Sequence, residues 1–267
     1  MGTWLRRRPV DGAEQRLILL PHAGGTAQAF ARWPDRLAAG IEPIVVQYPG
    51  RQDRISEPCI EDMDTMADAI AKELEPFTDL PISMFGHSMG SAAAYEVAQR
   101  LETPAKHIFV SARTAPHRRD GETNQLLDDE KLVAAIRELG GATEVYDHRK
   151  LWPLILPPLR SDLRLLDAHR PKTLVPLRSP ITAFGGDDDE TCPVADLEHW
   201  ADATTAGFHT RIFPGRHHYL ADNEDAVIVA VIEAVTRSPA CESPLSGLPR
   251  SVPMTTSSPS VGVRWPA

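Results

Sequence analysis

Cysteine is scarce in this 267-residue chain: Cys59, Cys192 and Cys241 are odd in number and far apart. That excludes a disulfide framework and the paired spacing of a zinc cluster, and it fits a reducing, cytoplasmic setting. Long apolar runs are missing too. Nothing approaches the ~18 consecutive apolar residues that span a bilayer, and the run Leu17 to Pro21, which follows Arg6-Arg7-Arg8, is too short for the core of a signal peptide. The arginine triplet therefore reads as a solvated arm ahead of a first strand. Net positive charge is also absent: 28 Lys and Arg against 37 Asp and Glu leave -9. A nonspecific nucleic-acid binder is excluded, because such proteins need a basic footprint to displace counterions from phosphates. No internal repeat is visible.

What the chain does have is the 42% hydrophobic and 24% charged composition of a globular protein. Its length suits one α/β domain with an insertion. Short apolar runs, Leu17–Leu20, Pro43–Val46, Ile82–Phe85, His107–Val110, Ile181–Phe184 and Thr210–Phe213, alternate with helical patterns at Met63–Leu74, Gly90–Leu101 and from about Asn223 onward. Strands buried on both faces look like this, so the expected fold is α/β, with a mostly parallel central sheet and helices on both faces. From about 123 to 170 the alternation breaks. Asp128 can cap a helix with Leu132, Val133, Ile136 and Leu139 on its apolar face, with Gly140-Gly141 as its stop. A second apolar segment, Trp152 through Leu166, is interrupted by Pro157-Pro158. Two inserted amphipathic helices predict a lid over a cleft rather than an ordinary single-helix crossover. The domain is expected to occupy residues 1–237. Residues 238–267, rich in Pro, Ser, Thr and Gly, are expected to form a disordered tail.

Gly86-His87-Ser88-Met89-Gly90 fits G-x-S-x-G, with an apolar strand before it and a helix of small residues, Ser91 to Ala94, after it. That context makes Ser88 the candidate nucleophile of a serine hydrolase. A hydroxyl needs an imidazole to take its proton and a carboxylate to hold the imidazole, in the chain order Ser, acid, His. His217 and His218 alone follow a late strand, on the Pro214-Gly215-Arg216 loop. His217 comes directly after the turn and is preferred, with His218 and Tyr219 left to pack or shape the pocket. The acid belongs just past Ile181–Phe184, in Gly185-Gly186-Asp187-Asp188-Asp189-Glu190. Asp189, furthest from the strand before Thr191-Cys192-Pro193 turns the chain away, is preferred, and Asp187 is free to serve as a turn residue. The acidic run lacks the spacing of a hard-cation loop, so no metal and no cofactor are expected. Two backbone N–H donors must face the oxyanion: Met89, after the nucleophile, and Ala23, in Pro21-His22-Ala23-Gly24-Gly25.

Four segments together resemble the type II (editing) thioesterases of polyketide and nonribosomal-peptide biosynthesis, within the α/β-hydrolase superfamily: Leu20–Gly25, Tyr48-Pro49-Gly50-Arg51, Gly86–Gly90 and Phe213–His217. Leu156–Asp162 resembles that family's lid segment. The family's G-D-x-D motif falls on Gly186–Asp189 and supports Asp189 as the acid; Arg216 and His218 depart from the glycine and aromatic often found there. The resemblance implies hydrolysis of acyl thioesters from the phosphopantetheine arm of an acyl or peptidyl carrier protein, through an acyl-enzyme on Ser88. It implies removal of stalled or aberrant acyl groups, and the chain is expected to act as a monomer away from membrane and nucleic acid. Arg51 or Arg54 could dock an acidic carrier. A carboxylesterase or lipase acting on free oxygen esters, and a non-catalytic hydrolase-fold binding protein, remain the alternatives.

Overall fold

The computed structural model describes residues 4–118, 127–140, 143–171 and 173–236. The expected tail from residue 238, Gly141 and the first residues of the expected insertion lie outside them. An edge strand, β1 (Leu5–Arg7), precedes β2 (Gln15–Leu20), β3 (Ile41–Val46), β4 (Ile82–His87), β5 (His107–Ser111), β6 (Ile181–Gly186) and β7 (Phe208–Phe213). The last six are the apolar runs of the sequence, lengthened slightly by ladder pairing. They form one sheet in the order β1-β3-β2-β4-β5-β6-β7, parallel throughout except for antiparallel β1 and β3.

Period-two alternation divides the core. Leu17, Leu19, Phe85, Phe109 and Phe184 face one side, against Trp33 and the last helix, α5 (Leu220–Thr236). Ile18, Leu20, Met84, Ile108, Val110 and Ala183 face the other, against α1 (Met63–Leu74) and α2 (Met89–Arg100). Side chains buried to this degree contribute about 1.5–3 kcal/mol each, and burial on both faces is why these strands read as continuous apolar runs. Asp62 caps α1, accepting from the Thr65 N–H at 2.7 Å. Ala92, Ala93 and Ala94 let α2 lie close on the sheet.

The arginine triplet is not a solvated arm. Arg6 and Arg7 belong to β1, anchored by buried Trp4 and Leu5, and Leu5 is in register with Val46. Two apolar residues are too few to show as a periodic pattern. The arginines put charge on this edge, Arg8 exposed and Arg6 and Arg7 half-buried, with Arg7 paired to buried Glu42 at 2.7 Å and Arg8 to Asp35 at 2.5 Å.

Between β5 and β6 lie α3 (Asp129–Glu138), capped by Asp128 through the Lys131 N–H at 2.9 Å, and α4 (Trp152–Ala168). Leu132, Val133, Leu156 and Leu159 give the pair its own small core. Pro157 and Pro158 do not interrupt the second segment as their sequence position suggests. They deprive only the Pro153 and Leu154 carbonyls of helical donors, and both residues are exposed to water. The last helix begins at Leu220, earlier than expected, and bends at Asn223, whose Nδ2 donates to the Pro214 and Tyr219 carbonyls at 2.8 Å each. The compact unit closes at Thr236.

Candidate active site

At the C-terminal end of β4 the chain turns into α2 through Ser88, whose φ of 55° and ψ of -113° are strained for a residue with a side chain. Closeness of backbone to backbone explains the flanking glycines. A Cβ on Gly86 would stand 2.0 Å from the Gly90 carbonyl oxygen, and one on Gly90 would stand 2.0 Å from that of Leu20. The turn is pinned from behind. The Ser88 N–H donates to the Ser111 carbonyl at 2.7 Å, and the Ser91 hydroxyl bridges the Gly86 carbonyl and the Ser111 backbone.

The loops after β6 and β7 bring Asp189 and His217 to this serine. Ser88 Oγ lies 2.9 Å from His217 Nε2, and His217 Nδ1 lies 2.9 Å from Asp189 Oδ2. An ionised carboxylate only accepts, so the ring proton sits on Nδ1 and Nε2 is left to accept from the serine. Burial pushes the Asp189 carboxyl upward, but hydrogen bonds from His217 and Thr191 outweigh it and hold the group below the usual carboxylate range. His218 does not take the base position. It packs edge-on against His22, 4.7 Å between ring centres. Asp187 braces the two loops instead, accepting from the Gly215 N–H at 2.8 Å.

Sequence reasoning missed Thr191. Its hydroxyl donates to Asp189 Oδ1 at 2.7 Å and lies 2.8 Å from His217 Nδ1, whose proton it shares with the carboxylate. The Thr191 and Cys192 N–H groups complete the cradle on Oδ1 at 2.9 and 3.2 Å. Its position two residues after the acid, in the pattern of a local Asx turn, was the available signal.

Ala23 lines the cleft with Ser88 from the loop after β2, Met89 follows Ser88 as the first residue of α2, and no hydrogen bond from either N–H is formed among the described residues. Three more imidazoles stand close by. His87 Nδ1 bonds Ser111 Oγ at 2.8 Å, and Ser111 Oγ lies 2.7 Å from the Tyr219 hydroxyl. Burial, with His217 and Arg51 nearby, pushes His22 down to about 4, and burial among neighbouring imidazoles pushes His87 and His218 well below the ordinary histidine range. They stay neutral at pH 7, so they place no positive charge beside His217. No group of His, Cys, Asp or Glu among the described residues is arranged to hold a metal ion.

A cavity of about 440 Å³ lies over β1 and the loops beside it, lined by Arg6, Arg7 and Arg8, away from this chemistry. The cleft above Ser88 measures about 410 Å³, with Ile136, Leu139, Leu159, Leu163 and Leu166 of the inserted segment forming its apolar wall. Arg51 and Arg54 are not available for docking. Both are 4% exposed, Arg51 bonded to Asp162 and Arg54 to Glu57 and the Gln47 carbonyl.

A parallel sheet with a serine on a strained turn at the C-terminal end of a central strand is the architecture of the α/β hydrolases. The thioesterase-domain pattern matches residues 15–236. The chain belongs to the thioesterase family, hydrolases acting on thioesters, and within it to the type II thioesterases of polyketide and nonribosomal-peptide biosynthesis. It is 37% identical to a probable cadicidin biosynthesis thioesterase of Streptomyces griseus over 87% of this chain and 66% of that one, so it spans slightly under two thirds of that relative. It is 36% identical to the thioesterase PikA5 of Streptomyces venezuelae, over 83% of this chain and 81% of that one. The solved structure of the type II thioesterase BorB, from the borrelidin biosynthetic cluster, superimposes with a TM-score of 0.81 at 38% identity, covering 87% of this chain and 97% of that one. No helix among the described residues is long and apolar enough to cross a membrane.

Proposed function

We propose that this protein hydrolyses acyl thioesters carried on the phosphopantetheine arm of acyl or peptidyl carrier proteins, clearing aberrant or stalled acyl groups in the cytoplasm as a monomer. The observation that carries the reading is the continuous hydrogen-bonded line from Ser88 Oγ through His217 to Asp189 beneath an apolar cleft. Ser88 Oγ attacks the thioester carbonyl while His217 Nε2 takes its proton, and Asp189 stabilises the imidazolium. Oxygen charge develops in front of the Met89 and Ala23 N–H groups, a pair of donors of which each is worth about 10²–10³ in rate. Collapse expels the thiol, protonated by His217, and leaves the acyl group as an ester on Ser88. Water, deprotonated by the same nitrogen, releases the acid. The helices α3 and α4 act as the lid of the cleft, and their leucines take the acyl chain.

The test compares an acyl-pantetheine thioester with its matched oxygen ester, using the native chain and Ser88→Ala. Thioester turnover that exceeds ester turnover and vanishes in the variant is expected. A marked ester preference would identify an esterase, and unchanged hydrolysis by the variant would remove Ser88 from the mechanism.

A further inference from the structure

The geometry points to a positioning role for Asp162: through its carboxylate, α4 of the lid holds the loop that aims the second oxyanion donor. This rests on the assignment of Ala23 as that donor. Asp162 is completely buried, and each of its oxygens is committed. Oδ1 accepts from Arg51 Nη2 at 2.8 Å, and Oδ2 accepts from Arg51 Nη1 at 2.6 Å and from the Gly24 N–H at 2.7 Å. Gly24 is the residue after Ala23. The same guanidinium donates to the Gly25 carbonyl at 3.3 Å and lies 5.4 Å over the ring of Tyr48, whose hydroxyl donates to the Pro21 carbonyl at 3.1 Å. Residues 21 to 25 are thus held at three backbone points by one buried assembly, and the acid at its centre belongs to the lid.

A second contact comes from the same face of α4. Leu159, one turn before Asp162, packs on Gly24 so closely that a Cβ there would stand 3.1 Å from Leu159 Cδ1. Leu159 also lines the cleft, so the helix that meets the acyl chain is the helix that fixes the loop. Moving α4 away from the sheet withdraws the acceptor from the Gly24 N–H and frees the adjoining Ala23–Gly24 peptide to rotate. The oxyanion site is then complete only with α4 seated. A carboxylate suits this task because it accepts a backbone N–H and a bidentate guanidinium together, and the pair offsets its own desolvation through that geometry.

The test uses the full chain, a short-chain acyl N-acetylcysteamine thioester, and a matched trifluoromethyl ketone whose adduct with Ser88 places an oxyanion in the hole. Two variants are compared, Asp162→Asn and the double replacement Arg51→Met/Asp162→Leu. The second leaves no unpaired buried charge and keeps the fold within reach if the first does not fold. In the folded variants kcat should fall between tenfold and about a thousandfold. KM should stay within twofold, and the ketone's Ki should rise by the factor that kcat/KM falls. A simple loss of folded protein lowers kcat but leaves Ki untouched, so a fall in kcat at constant Ki overturns the inference, as does a variant within twofold of wild type in both. Hydrogen exchange of the unmodified chain gives an independent reading. The Gly24 amide should be protected to the level of α4, and free exchange at Gly24 beside a protected α4 contradicts the assignment. Ser88→Ala separates this result from the proposed function: if that variant still hydrolyses the thioester the function fails, whereas if it is inactive and only the Asp162 variants behave as wild type, this inference alone fails.

Discussion

Replacing Asp189 by asparagine changes one atom, and the hydrogen bonds around it dictate the consequence. Three donors converge on Oδ1, the Thr191 N–H at 2.9 Å, the Thr191 hydroxyl at 2.7 Å and the Cys192 N–H at 3.2 Å, whereas Oδ2 faces only His217. At about 0.5–1.5 kcal/mol per net bond, the amide oxygen will occupy the Oδ1 position and turn its NH₂ toward His217 Nδ1. That nitrogen must then accept, which moves the ring proton to Nε2, facing Ser88, where no base remains. The wrong tautomer in a triad of this type costs about 10⁴ in kcat, or roughly 5.5 kcal/mol at 1.36 kcal/mol per factor of ten. Thr191 Oγ1 offers Nδ1–H a second acceptor at 2.8 Å, so a minority of the productive tautomer survives. The expected fall is therefore about 10³–10⁴ in kcat with little change in KM, and the double variant Asp189→Asn/Thr191→Val falls further. Thiol release from an acyl-pantetheine, followed by absorbance, measures it. A variant that keeps kcat within tenfold of wild type, with an unaltered circular dichroism spectrum, would refute the tautomer argument.

Thr191→Val alone removes the shared hydroxyl and should lower kcat about tenfold, the scale of one hydrogen bond to a charged group, while Thr191→Ser restores it in the same assay. Gly90→Ala places a Cβ 2.0 Å from the Leu20 carbonyl oxygen, so thermal unfolding should show the fold lost or Tm lowered by many degrees; a Tm within two or three degrees of wild type would contradict the elbow geometry. Stability should fall as pH drops. His22 and His107 are pushed to about 4, and His87 and His218 well below the ordinary range, by burial above all, so the unfolded chain binds protons below its ordinary histidine pKa that the folded chain refuses. The stabilisation is fully present above about pH 6.5 and is lost progressively toward pH 4. Asp189, held low, adds its own loss only below the ordinary carboxylate range. Denaturant midpoints measured from pH 7 to pH 5 should decline, and a flat profile would contradict the burial of neutral imidazoles.

Most of the sheet was legible because its strands are buried on both faces and announce themselves as apolar runs bounded by turns, as Leu17–Leu20 and Ile181–Phe184 do. Edge strand β1 was not, since only Trp4 and Leu5 are buried there and the outward residues are charged. Pro157-Pro158 misled for a related reason: proline lowers local helix propensity, yet Leu156, Leu159 and Leu166 bury the face of α4 on either side, and tertiary packing prevailed. The line Ser88, His217 and Asp189 could be read because each residue ends or follows a recognisable strand. Arg51 and Asp162 each lie in a recognisable sequence motif, but their partnership spans 111 residues and has no local signature. Nothing local therefore distinguishes buried Arg51 from a docking cation at the surface, and the same holds for Arg54, which packs 4.4 Å over the Trp4 ring.

The central claim, that the Ser88 line discharges acyl groups from carrier proteins, is tested most directly by intact-mass measurement of carrier proteins loaded with a panel of acyl-phosphopantetheine arms. After incubation with the native chain, the acyl mass should disappear from at least part of the panel and the free thiol arm should appear, while Ser88→Ala leaves every carrier loaded. Carriers that stay loaded in the presence of the native chain, or that are discharged equally by Ser88→Ala, would contradict the account.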